Sequence, residues 1–202
     1  ANISVVEADF ISIKQQKVAI EIINDNLIFT SQNAVLSLVE NLEKTDTLEL
    51  LRKKNVFCVG LKTKALLEQN GFNVIAYTGY AADLAEIISL IYSKEKFTFF
   101  SGNLRRDTLP EALSEAEVVW NEIQVYETIL TPQKISGTFD GILFFSPSGI
   151  ESYLKNNKIT KETCFCIGTT TAEALENITN NVIIANQPTV ENVIIQCINF
   201  YK

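Results

Sequence analysis

Seven short apolar runs rich in Val, Ile and Phe recur along this chain, most of them closing on a Gly, Ser, Thr or Asn cluster before a helical pattern begins. They are NLIFT (26–30), NVFCVG (55–60), FNVIAY (72–77), KFTFFSG (96–102), DGILFFS (140–146), TCFCIG (163–168) and NVIIAN (181–186). A continuously apolar strand has no face to offer water, so it must be covered on both sides. That requirement is met by parallel sheets whose crossover helices lie on the two faces, the doubly wound α/β class.

Two segments break the rhythm. SVVEADFISI (4–13) and NEIQVYETIL (121–130) alternate apolar with polar residues and lack the turn-and-helix sequel, so both are expected as half-exposed strands. They bracket the first block of runs. Paired as a two-stranded connector, they divide the chain into a first connector strand (1–14), an inserted α/β lobe (15–122), a second connector strand (123–130) and a C-terminal α/β lobe (131–202). The last lobe is small for a domain. The sequence contains no methionine, and the expectation is that a strand and helix belonging to this lobe precede Ala1.

Composition narrows the chemistry. The four cysteines (Cys58, Cys164, Cys166, Cys197) lie in apolar runs and read as reduced, buried thiols. Cys164 and Cys166 share one face of a strand, but the chain has no histidine to complete a mixed metal site, and no metal centre is expected. The lack of histidine also removes the usual catalytic triads, so any catalysis must use Tyr, Ser, Thr, Lys, carboxylates or backbone. A formal charge of −7 argues against nucleic acid. No apolar stretch approaches the roughly 20 residues that span a bilayer, and the start ANISVVEADF is not a signal peptide. The expected setting is cytoplasmic, with no membrane partner and a monomeric chain.

Four turns share a layout of apolar strand, small or hydroxyl residues, then helix: IFTSQNAV (28–35), CVGLKTKAL (58–66), FFSPSGIESYL (144–154) and CIGTTTAEAL (166–175). A fifth, FFSGNLRRDTLPEAL (99–113), adds Arg105 and Arg106. In open α/β sheets the ligand crevice lies outside the carboxyl ends of the strands, where these turns fall. Helix N-termini there bind carboxylate or phosphate without net positive charge. Ser31, Ser146, Thr169 and Thr170 are equally readable as ordinary N-caps, and the two arginines as solvated helix charges. The nucleotide fingerprints G-x-x-x-x-G-K-[ST] and G-x-G-x-x-G are absent.

Taken in order, IFTSQNAV, VGLKT, SGNLRRDTLPEAL, VYET, FFSPSG, IGTTTAEAL and QPTVENVI span Ile28 to Ile194. In these segments the sequence resembles the uroporphyrinogen-III synthases. The resemblance implies two flavodoxin-like (Rossmann-like) doubly wound lobes joined by a two-stranded β connector around a cleft. It implies a lyase that needs no cofactor and acts on hydroxymethylbilane, a linear tetrapyrrole polycarboxylate. The implied reaction loses water, inverts ring D through a spiro intermediate and closes the macrocycle of uroporphyrinogen III, a step of heme biosynthesis.

Carried over by position, Tyr126 of VYET is the implied acid for the leaving hydroxyl. Implied substrate contacts are Ser31, Thr63, Gly102, Asn103, Arg105, Ser146, Ser148, Gly149, Thr170 and Thr171. Thr169 stands where the family often has Pro, and Lys62 occupies a position that is small or polar in many relatives. The competing expectations are a non-catalytic two-lobed receptor for an anionic small molecule and an inactive relative, since a fold does not fix a function.

Overall fold

The computed structural model describes residues 3–17 and 22–202. The ends of the expected first connector (residues 1 and 2) and residues 18–21 of the expected inserted lobe lie outside the described residues. The chain forms two compact units, one of residues 13–128 and one of residues 1–12 with 129–202.

The larger unit has β2 (Asn26–Phe29), β3 (Asn55–Val59), β4 (Asn73–Thr78), β5 (Lys96–Gly102) and the start of β6 (Val119–Leu130), all parallel, in the order β6-β5-β2-β3-β4. The short β1 (Ile11–Gln15) lies beside β6 at the sheet edge. Helices α1 (Gln32–Leu42), α2 (Asp46–Arg52) and α3 (Leu61–Gln69) cover one face, burying Ala34, Val35, Leu38, Leu48, Leu51 and Leu67 against Leu27, Phe29, Val56 and Phe100. Helices α4 (Ala81–Ile91) and α5 (Thr108–Glu115) cover the other, through Leu84, Ile88, Leu109 and Leu113 against Ile28, Phe57, Phe97 and Phe99. Adjacent residues of β2 and β5 thus enter opposite cores, which is why these strands are apolar without interruption. Each fully buried Phe or Leu contributes about 1.5–3 kcal/mol.

At the amino ends of the strands a polar network satisfies the fully buried Thr98. Its Oγ1 receives the Asn24 N–H (2.9 Å) and donates to Asn121 Oδ1 (2.8 Å), while Asn24 Nδ2 donates to Phe97 O (2.8 Å) and Asn121 Oδ1 (2.7 Å). The entry to β2 is thereby tied to β5 and β6, so register is pinned at the end opposite the turns.

The smaller unit holds a parallel sheet β7 (Gly141–Phe144), β8 (Thr163–Cys166), β9 (Val182–Ile184) in sequential order. Helices α6 (Pro147–Asn156) and α7 (Thr169–Glu173) pack on one face and α8 (Val190–Phe200) on the other. Alternation along β8 sends Cys164 and Cys166 into the first core and Phe165 into the second.

One expectation needs correction. Of the run 4–13 only the end is strand, because β1 starts at Ile11 and residues 3–10 form neither helix nor strand. Val5 and Val6 are exposed, and Phe10 is the anchor: its carbonyl accepts the Thr131 N–H (2.9 Å) and its ring meets Tyr153 edge-on at 5.3 Å. Alternation marks a chain as able to form a strand, but a ladder also needs a neighbour of matching length.

All four cysteines are free and buried. Burial pushes the Cys58 and Cys166 thiols up to about 11 and Cys164 to about 12, from an ordinary value of 9.0. A folded-state value raised in this way favours the fold fully below the unfolded value. That contribution is lost as pH climbs through the window from the unfolded to the folded value. The denaturant midpoint should therefore fall between about pH 9 and about pH 12, and the fall should shrink in a Cys164→Ala/Cys166→Ala variant. Equal alkaline loss in the variant would exclude Cys164 and Cys166 as its source. At about pH 8 the native thiols should resist alkylation and react on unfolding.

Candidate functional site

Strand order locates the crevice. From β2 the chain moves outward through β3 and β4, then returns to place β5 on the opposite side of β2. The crossovers diverge at this β2/β5 boundary, and in open α/β sheets ligands bind outside the carboxyl ends of the strands at such a point. The residues there are Thr30 and Ser31 after β2 and Gly102 and Asn103 at the end of β5, with β6 alongside.

Tyr126 is aimed into this place by a bulge. In the β5/β6 ladder Ser101 pairs with Gln124, but Gly102 pairs with Tyr126, so Val125 is an extra residue on β6. Strict alternation puts Tyr126 on the face opposite Ile123 and Val125. With the bulge, Ile123, Val125 and Tyr126 all pack into the core beneath α1 and α3. The ring then occupies the space of a side chain at residue 102. A β-carbon on Gly102 would lie 2.3 Å from Tyr126 Cζ and 2.5 and 2.7 Å from two other ring carbons, distances no real contact permits. The phenol Oη lies 3.1 Å from Ser31 Oγ, and Ser31 Oγ also accepts the Ala34 N–H (3.1 Å) as N-cap of α1. One serine thus caps a helix and holds the tyrosine.

The S-G-N-L-R segment grips the neighbouring strand. Arg105 donates from Nε to Glu122 Oε1 (2.8 Å) and from Nη2 to Oε2 (3.0 Å), and its Nη1 also meets Asp107. Ser101 Oγ donates to Glu122 Oε1 (2.5 Å). The Arg105 hydrogen bond holds the Glu122 carboxyl below its ordinary value, outweighing the opposing effect of burial, and Ser101 assists. Asn103 accepts the Thr128 N–H on Oδ1 (2.8 Å) and donates from Nδ2 to Thr128 O (3.2 Å). These side chains line a cavity of about 470 Å³ bounded by Gly102, Asn103, Arg105, Asp107, Glu122 and Gln124.

Of the expected site residues, Ser31, Gly102, Asn103, Arg105 and Tyr126 come together in this unit. Thr63 lies in the first turn of α3 with its side chain buried. The cap of α3 is Gly60, at φ +90°, and it offers no side chain to the helix N–H groups. In the smaller unit Ser146 caps α6, accepting the Gly149 N–H (3.0 Å), and its Oγ lies 3.1 Å from Ser148 Oγ. Thr170 and Thr171 lie within α7, whose cap is Gly168, and Thr171 is buried. The reading of Thr169 and Thr170 as N-caps is thus corrected: glycine precedes the helix and the threonines occupy its first turn. Ser31 and Ser146 are caps.

Sequence reasoning missed Ser101, Glu122 and Thr128. Each matters through cross-strand register, and the bulge that sets the register has no signature in VYET. The alternation of Glu122 with apolar residues marked only an outward side chain. Among the described residues no group of three or more His, Cys, Asp or Glu is placed to hold a metal, and no helix is long and apolar enough to cross a membrane.

The uroporphyrinogen-III synthase (HemD) family model matches residues 2–195. The chain is 29% identical over 168 residues to the uroporphyrinogen-III synthase of Chlorobaculum parvum, covering 74% of this chain and 68% of that protein. Among solved structures it is similar to the uroporphyrinogen-III synthetase from Helicobacter pylori 26695, with a TM-score of 0.79 at 22% identity over 95% of this chain and 91% of that one. It is also similar to a mutant uroporphyrinogen III synthase from the extremely thermophilic bacterium Thermus thermophilus, with a TM-score of 0.64 at 16% identity over 93% and 86% of the two chains. These two likenesses establish the fold, and the match along nearly the whole sequence establishes the kinship: the chain belongs to the uroporphyrinogen-III synthase family.

Proposed function

We propose that this chain converts hydroxymethylbilane to uroporphyrinogen III, with Tyr126 as the acid that releases water. The observation that carries the reading is the tyrosine's setting within a family match spanning residues 2–195: a phenol lodged on Gly102 and hydrogen-bonded to Ser31 at the carboxyl ends of β2 and β5. Ser31 Oγ takes the Ala34 N–H on a lone pair, so its own hydrogen is available to Tyr126 Oη. The phenol then keeps its hydrogen for the substrate.

Proton transfer from Tyr126 to the hydroxymethyl oxygen breaks the carbon–oxygen bond and releases water. The pyrrole nitrogen lone pair stabilises the resulting azafulvenium cation. Attack by the substituted carbon of ring D, fragmentation of the spiro intermediate and reclosure leave a proton on the last ring carbon, and its loss returns the proton to the phenolate. The electron-rich pyrroles drive these steps, so the protein's task is mainly positioning. Helix N-termini in each unit support carboxylate binding: those of α1 and α3 beside Ser31 and Thr63, and those of α6 and α7 beside Ser146, Ser148, Gly149, Thr170 and Thr171. Such sites suit a polyanion on a chain of net charge −7. The chain acts as a cytoplasmic monomer in this reading, and its four free buried thiols fit a reducing compartment.

The test is turnover of freshly generated hydroxymethylbilane, with the type I and type III uroporphyrins separated after oxidation. Type III should predominate. Formation of type I alone, at the spontaneous rate, would remove the synthase reading in favour of a non-catalytic receptor. Tyr126→Phe should lower kcat by about tenfold to a hundredfold without abolishing type III product, since one general acid is only part of the catalysis. Unchanged turnover would show that Tyr126 only packs. Ser31→Ala should lower kcat less, and should also lower the unfolding free energy by about 1 kcal/mol through loss of the α1 cap. An unchanged denaturant midpoint would exclude a cap worth that much.

A further inference from the structure

Asn103 is exposed, yet both polar atoms of its side chain are used by backbone. Oδ1 takes the Thr128 N–H and Nδ2 reaches Thr128 O, two residues past Tyr126. Strand β5 ends at Gly102, so its main chain supplies no later ladder bonds to β6. The carboxamide, which carries a donor and an acceptor in peptide geometry, substitutes for the missing rung. Four residues before Tyr126, Glu122 is held by Ser101 and Arg105 from the same turn. Between these two grips β6 carries the unpaired extra residue Val125, and this break in the register makes the direction of the next side chain, Tyr126, dependent on what fixes the ends of the stretch.

We propose that Asn103, with Arg105 as the second grip, is a positioning residue that sets the direction of the Tyr126 phenol, in place of the substrate contact expected from its sequence position. The proposal rests on the role assigned to Tyr126 above, although the placement of the ring can be tested apart from that role. Gly102 provides the surface on which the ring lies, Ser31 the hydrogen bond at its tip, and the two grips keep β6 from sliding along that surface. A tyrosine displaced by even an ångström no longer meets the reacting oxygen.

The test combines Asn103→Ala and Asn103→Asp with Tyr126→Phe in protein labelled at the tyrosine ring carbon that bears the hydroxyl. The Tyr126 resonance is identified by its loss in Tyr126→Phe. Asn103→Ala should shift or broaden that resonance and leave the other tyrosines unmoved, while lowering kcat roughly tenfold at a KM changed by less than about twofold. Asn103→Asp keeps the acceptor for the Thr128 N–H and should recover part of both effects. In the Tyr126→Phe background Asn103→Ala should cost nothing further, because the two residues act as one unit.

An unmoved Tyr126 resonance with a raised KM, additive to Tyr126→Phe, would overturn the proposal and make Asn103 a substrate contact. A shifted resonance without loss of kcat would keep the positioning claim and instead sink the catalytic role of Tyr126. If Asn103→Ala lowers the denaturant midpoint, Asn103→Asp decides. A resonance that moves only as far as stability falls in both variants counts against a directed grip.

Discussion

Parallel pairing of β2 with β5, from Asn26 opposite Phe97 to Phe29 opposite Phe100, is the contact from which the functional geometry follows. Both strands are buried on both faces, so neither can slip by one residue without exchanging Phe29 and Phe100 for Ile28 and Phe99 between two different cores. The register in turn fixes that Ser31 and Gly102 emerge at the same height. Tyr126, on the next strand, bridges them, with its ring on one and its hydroxyl on the other. Moving either strand by a single residue separates the two supports by roughly 3.3 Å, longer than the hydrogen bond to Ser31. The polar network at the far end of the same strands, built on Asn24, Thr98 and Asn121, resists that slip because a shifted Thr98 loses its partners while its hydroxyl stays buried.

Charge placement is the second constraint. Under the proposed function a chain of net −7 holds a polyanion, and the most conspicuous cation near the turn after β5 is already committed. The Arg105 guanidinium forms a two-pronged pair with Glu122 and also meets Asp107, so the cluster carries one negative charge in sum. Fixed N–H dipoles at helix starts do not have this difficulty. They carry no counterion, and they are aligned by the fold itself. Arg105 contributes as a brace between β6 and the turn after β5, where the two-pronged geometry fixes the pair more firmly than a single contact does.

Most of the sheet was legible because strands covered on both faces cannot hide: NLIFT, NVFCVG and KFTFFSG have no polar stripe, and each became a strand within a residue or two of its run. Tyr126, Gly102 and Ser31 were legible as candidates through the motifs that hold them. Their mutual arrangement was not. A bulge is a relation between two strands, so neither VYET nor SGN contains it, and Asn103 looks the same whether its amide faces a ligand or the backbone of Thr128. The run 4–13 failed for the same reason in reverse. Its alternation was real, but pairing is a property of two segments, and beside residues 3–10 no ladder forms.

The glycine at 102 shows how these levels converge. Its backbone is not left-handed, so conformational freedom does not explain its presence. Alanine could adopt the same φ and ψ, and in a buried strand a glycine is a net cost. What the position requires is an absence: the volume of a β-carbon, given over to an aromatic ring. A residue whose sole contribution is to be missing a side chain has meaning only together with the side chain that fills the gap. Placing that ring also took an extra residue in the partner strand, a polar rung beyond the end of β5 and a cap serine that points two ways. Each device is ordinary alone, and the glycine is destabilising for folding. Their concentration around one phenol is what distinguishes a site from a well-packed strand end, since a core selected for stability alone has no use for a glycine, a bulge and a half-buried hydroxyl at the same place.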